Sequence, residues 1–348
     1  EPFQGFDNDS RHTIRYDDLT ALLKTVVVDL GRSNRAAARP VQASTGTRMA
    51  PRFNRLTATE GNRFYYETFE DNEKAQLLVR SIRDSIAKVP DEIPLDNFSR
   101  DEQLAYWLNL YNVTVLSEII EIYPRHDLEK VLTGKNSILS KKLITVAGVP
   151  LSLDDIQFRI LKPNYDNNPL ILYGLYQGII GGPNIRRSAY TGDDVYRALE
   201  NNAIEFINSN RGTYGKNSKT FRVSSLYERN RVFFPDFDND LSMHLLQYLE
   251  GNERIELQGA TRLKPDINDW TVTDLFGSYR EPAGSIANNS AALMGAVRSS
   301  SSAKFTSDRV TVSRYSPAVI ERLNELNEKR DEERTGHVTI EEMGQAED

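Results

Sequence analysis

Between Glu102 and Glu118 the chain carries no charged residue, and this gap constrains its fold more than any other feature. Leu104, Trp107, Leu108, Tyr111, Val115, Ile119 and Ile122 recur at helical spacing through it. Ser99 followed by Glu102 reads as a capping box that opens the helix, and Pro124 stops it. A helix with no polar face has to be covered on every side, so a large domain must be built around it. The run is no bilayer span. Asn109, Asn112 and Thr114 interrupt it, well short of the roughly 20 apolar residues a membrane requires.

The surrounding pattern is helix-rich with short, irregularly spaced strands. A helix is expected from Tyr16 to about Leu30, and two short strands around Ala147-Gly148 within Leu143 to Leu153. Ser152 and Asp155 cap a helix to Leu161, Leu170 to Tyr176 reads as an apolar strand, and Thr191 caps a helix from Asp193 to about Asn208. Phe221 to Tyr227, Leu241 to Leu249 and Arg254 to Leu257 suggest strand, helix and strand. The expected class is α+β: a helix-rich domain around a central buried helix, a small mixed or antiparallel sheet, and a helical C-terminal extension. Composition divides the chain three ways. Residues 1–66 hold a helix and an arginine-rich loop from Gly31 to Arg63, residues 67–280 the main domain, and residues 281–348 a serine- and alanine-rich linker and helical tail.

Composition excludes several chemistries. The 348 residues include no cysteine, so disulfides, thiolate ligands and a cysteine nucleophile are ruled out together. A net charge of -7 argues against a general nucleic-acid binder. The chain opens on Glu1, as removal of a signal peptide would leave it, and a periplasmic or secreted location is expected. The arginine-rich loop reads in two ways: a patch for an anionic polymer, or a belt of guanidinium groups tying the loop to the acidic remainder.

The central segment Leu104-Ala105-Tyr106-Trp107-Leu108-Asn109-Leu110-Tyr111-Asn112 resembles the signature helix of the domain-of-unknown-function family 547. Leu151 to Ile156, Gly182-Pro183-Asn184-Ile185-Arg186, Ala189-Tyr190-Thr191, Val223 to Leu226 and Asp269-Trp270 follow in that family's order, over roughly residues 70–275. The departures fall on the reactive positions. Gln157-Phe158 stands where the family usually has Glu-His, and Leu172 to Gly178 replaces its His-Phe-Ala-Leu-x-Cys-Gly segment, with Gln177 at the place of the cysteine. Gly182 replaces a further cysteine. The resemblance thus implies a retained scaffold in a divergent form without the family's thiols and imidazoles, and thiol redox chemistry has no group to run on.

Trp107, Asn109, Tyr111, Asn112 and Arg186 are the candidate ligand-binding residues, as an amide-and-aromatic pocket floor or else as an internal network bracing the strands. No catalytic residue is singled out, because His12, His126, His244 and His337 lie in no recognisable triad or metalloprotease context. The tail from Asp331 to Glu342 fits much of an EF-hand loop: Asp331 first, Glu333 and Thr335 third and fifth, Gly336 at the turn, His337 next, and Glu342 as the two-oxygen ligand. Calcium is therefore the one cofactor the sequence points to. These observations lead to an exported, non-catalytic binding or interaction module, calcium-dependent through its tail, with a protein or an anionic polymer as partner. Two other readings stay open: a hydrolase of cell-wall or extracellular polymer, and a subunit of a surface or periplasmic assembly.

Overall fold

A computed structural model describes residues 3–38, 53–217, 219–276, 293 and 317–334. In chain order the helices are α1 (Asp17–Val26), α2 (Glu73–Glu92), α3 (Arg100–Ile122), α4 (Glu129–Thr133), α5 (Lys162–Asn164), α6 (Val195–Ile207), α7 (Ser225–Arg229), α8 (Phe237–Tyr248), α9 (Gly251–Gly259) and α10 (Pro317–Arg334). The strands are β1 (Val27–Val28), β2 (Arg63–Phe64), β3 (Ile144–Val146), β4 (Val149–Leu151), β5 (Thr213–Asn217), β6 (Thr220–Ser224) and β7 (Arg262–Ile267). They form two antiparallel pairs and one mixed three-stranded sheet in which β6 runs antiparallel to β5 and parallel to β7. The class is α+β, as the patterning indicates.

The uncharged helix is α3, buried continuously from Glu102 to Ser117. Helix α2 lies along it with Val79, Ile82 and Ile86 turned inward, and α6 packs from another side through a 3-10 turn over Pro169–Gly174. Gly174 permits that approach: a Cβ there would sit 2.5 Å from Leu199 Cδ2 and 2.8 Å from Leu108 Cδ2. The N-terminal segment is no separate layer. Leu19, Leu22, Leu23 and Val26 of α1 join the same apolar cluster as α3.

The capping box forms by halves. Ser99 Oγ accepts from the Glu102 amide at 3.3 Å. The Glu102 carboxylate accepts instead from Ile14 N at 2.8 Å and Gly192 N at 3.1 Å. Burial raises its pKa, and those two N–H donors oppose the rise.

Residues 269–275 join three distant parts of the chain through their backbone. Thr273 O accepts from Phe64 N at 2.8 Å, Trp270 O from Leu128 N at 3.0 Å and Thr271 O from Ile180 N at 2.8 Å. Val272 N and Thr273 N donate in turn to His126 O and Gly178 O, each at 2.9 Å.

Several elements depart from the expectation. Leu170 to Tyr176 is a 3-10 helix over Pro169–Gly174 rather than a strand, with Asn168 Oδ1 capping Leu170 N at 2.9 Å. An apolar run buried throughout suits either state, and here Pro169 and the cap decide it. Arg254 to Leu257 lies within α9. The Ile255/Leu257 alternation suggested a strand, yet Ile255 is 67% exposed and only Leu257 is buried. The strand expected to reach Tyr227 ends at Ser224, whose side chain caps α7 by accepting from Leu226 N. The first helix stops at Val26, where β1 pairs with β2.

In the arginine-rich segment, Arg35 donates to Thr213 O at 2.6 Å and Ile207 O at 3.2 Å and faces Glu253 at 3.4 Å. Arg55 donates to Ala38 O at 2.8 Å, and Arg63 is fully buried, donating to Ala58 O at 2.7 Å. Arg35 ties the loop to the body, while Arg55 and Arg63 brace the loop against itself. Arg39, Arg48 and Arg52 lie outside the described residues. Of the EF-hand-like positions, Asp331 and Glu333 have helical backbone in α10, which continues through Arg334, while Thr335, His337 and Glu342 lie outside the described residues. Among the described residues no helix is long and apolar enough to cross a membrane.

Candidate functional site

The two asparagines of α3 each clamp a passing backbone. Asn109 donates to Tyr190 O and accepts from Tyr190 N, both at 2.9 Å. Asn112 does the same one turn later, donating to Gly174 O and accepting from Tyr176 N, both at 2.9 Å. A side-chain amide matches a peptide's donor and acceptor, so these buried residues satisfy loops that would otherwise lack partners. The cavity between them, Arg186 and α1 measures about 10 Å³, room for one water, because Leu19 and Leu23 cover it. Arg186 lies with its guanidinium 4.6 Å from the Tyr190 ring centre and 3.5 Å from Asp194. Trp107 is wholly buried and meets Phe3 edge-on at 5.1 Å. Asn109 and Asn112 thus each brace a loop from inside.

Tyr111 differs. It is fully buried, and its hydroxyl finds no hydrogen-bond partner among the described residues. Burial raises its pKa, Asp154 adds to the rise and the Arg229 charge opposes it. Arg229, the last residue of α7, is half-buried. One nitrogen donates to Gln177 Oε1 at 2.8 Å, another to Ser225 Oγ at 2.9 Å, and the guanidinium carbon lies 4.6 Å from the Trp270 ring centre. Burial lowers its pKa to about 10, with Tyr111 opposing, so it stays cationic at neutral pH. Its bonded partners are neutral, and no carboxylate pairs with it among the described residues. The next residue, Asn230, accepts from Gln157 Nε2 and donates to Leu226 O at 2.8 Å.

The structure therefore brings Gln157 and Gln177 to the same helix end, with amides where the resemblance leads one to expect a carboxylate and a thiol. Neither is a nucleophile or a base at physiological pH, so the arrangement can orient and bind, but these groups cannot attack. Reading the sequence singled out Tyr111 and noticed both glutamines, yet it missed Arg229 and Asn230. Arg229 stands between Glu228 and Asn230 in a polar run, and no linear signal marks it as the cation at the glutamines.

His244 offers no base. Its Nε2 bonds the Tyr173 hydroxyl at 2.8 Å, that hydroxyl meets Tyr227 at 3.1 Å, and burial pushes the imidazole pKa down to about 4. Among the described residues no group of three His, Asp or Glu side chains is placed to hold a metal ion.

Residues 95–207 match the model of the family described as "Protein of unknown function, DUF547". The match spans α3 through α6 and is narrower than the order of motifs suggested, leaving Val223 to Leu226 and Asp269-Trp270 outside it. The chain resembles this family in a form without cysteine. No curated protein and no solved structure matches the chain at a significant level.

Proposed function

We propose that this chain is an exported, non-catalytic binding module that holds a small anionic ligand against Arg229. One observation carries the reading: a half-buried guanidinium held by two neutral side chains and an aromatic ring, with no carboxylate beside it among the described residues. A desolvated cation is costly unless a counter-charge accompanies it, and Arg presents its donors in the fork that carboxylates and phosphates match. The Tyr111 hydroxyl supplies an unused donor in the same charge environment. Export goes with this reading, since a chain without thiols is indifferent to an oxidising compartment. The hydrolase alternative draws less support, because both glutamines are neutral and His244 is closed in among tyrosines.

Calorimetric titration with succinate and with inorganic phosphate tests the proposal, on the wild type and on Arg229→Gln. The expected result is saturable binding of at least one anion, weakened tenfold or more in a variant with an unchanged unfolding midpoint. Absence of binding by both anions, or equal binding by the variant, overturns it.

A further inference from the structure

A second cleft lies against the β5-β6-β7 sheet and shares no lining residue with the Arg229 cluster. A cleft of about 230 Å³ opens there among Asn54, Thr57, Asn210, Tyr214, Arg222 and Asp266. Pockets for drug-sized ligands run to roughly 300–1,000 Å³, so this one suits a single ring.

The key group is Asn210, 2% exposed. Its Nδ2 donates to Arg35 O at 3.1 Å and Leu56 O at 3.0 Å, which fixes the orientation of the amide. Its Oδ1 is buried and accepts no hydrogen bond among the described residues. A buried acceptor without a donor is rare in a folded protein and calls for an explanation. A ligand that answers it must bring a hydrogen-bond donor. An ionised carboxylate, which only accepts, does not qualify.

A metal cation does not fit either. Asp266 is engaged by Arg222 at 2.6 Å and Lys264 at 2.8 Å, and no ligating cluster occurs among the described residues. The charges in the wall are thus paired, and what faces the cleft is largely amide, hydroxyl and aromatic. Tyr214 supplies the aromatic ring, 37% exposed. A buried acceptor, further amides and an open ring suit a molecule that carries hydroxyls around its edge and C–H groups on its face.

We propose that this cleft binds a neutral saccharide, one sugar ring resting on Tyr214 with a hydroxyl donating to Asn210 Oδ1. The site lies wholly outside the family match, since every residue lining the cleft falls outside residues 95–207.

Saturation-transfer NMR on the full chain tests it, with D-glucose, N-acetyl-D-glucosamine and D-glucuronate as probes. Transfer to one or both neutral sugars is expected, stronger than to glucuronate. Tyr214→Ala, at a partly exposed position, should abolish the transfer or weaken binding tenfold or more. Arg229→Gln should bind the sugar as the wild type does, which separates this site from the anion site. No transfer to either neutral sugar, stronger transfer to glucuronate, or full binding by Tyr214→Ala would each overturn the proposal.

Discussion

Replacing Asn112 with alanine separates a brace from a ligand floor. Asn112 is 8% exposed and joins α3 to two backbone groups of one loop, Gly174 O and Tyr176 N. Both partner residues are buried, so neither group recovers its bond from water once the amide is gone. Leaving a buried polar group unsatisfied costs about 1–3 kcal/mol, so the pair costs about 2–6 kcal/mol. A two-state domain loses about 1–3 kcal/mol per molar urea, so the midpoint should fall by at least about 0.7 M. The assay is urea unfolding followed by tryptophan fluorescence, with Trp107, five residues away on α3, and Trp270 as reporters. A loss below about 0.5 kcal/mol would refute the reasoning, because that is the level of an unconstrained surface substitution. It would mean that the loop holds itself and that the amide is free to serve something else.

Other outcomes follow from the same structure. Gly174→Ala should lower the thermal midpoint by the equivalent of about 1–3 kcal/mol, since the added Cβ would press on Leu199 and Leu108 in a filled core; an unchanged midpoint would show that the turn can yield. His244 holds its proton less well folded, at about 4, than unfolded, at the ordinary 6.5, so the unfolded state takes up a proton first as pH falls. The wild type should therefore lose about 3 kcal/mol between pH 7 and pH 4, and His244→Gln should lose correspondingly less over the same range, read from urea midpoints. Calcium should raise the thermal midpoint of the full chain above its value in chelator, and Glu342→Gln should remove the rise; identical midpoints would dismiss the EF-hand reading of the tail.

The central helix was legible because its signal is strictly local: an uncharged run, a cap and a proline. The hairpin around Ala147-Gly148 was legible for the same reason, with both residues at positive φ in the turn. Leu170 to Tyr176 was not, because burial on every side erases the periodicity that separates strand from helix, and Pro169 with its cap acts over two or three residues only. Glu102 shows a subtler limit. Its spacing from Ser99 predicted a partner three residues away, yet the carboxylate reaches Ile14 and Gly192, which no local rule could find. The sites follow the same division. Tyr111 was visible on its helix, whereas Arg229 gains its meaning from Gln177 and Trp270, residues far away in sequence. Asn210 and Tyr214 carried no motif, and only the sheet gathers them into a cleft with Arg222 and Asp266.

The stitching by residues 269–275 has a consequence for how the chain comes into being. A ribosome delivers α3 more than a hundred residues before the segment that closes the gaps at Phe64, His126 to Leu128 and Gly178 to Ile180. At about 5–20 residues per second, that delay is several seconds or more during which an uncharged helix waits with part of its cover unsecured. Contacts of such long sequence separation also slow folding after release. The family-matched segment therefore emerges before the residues that complete its cover, and the nascent chain depends on its surroundings to keep that segment from other unfinished chains in the interval.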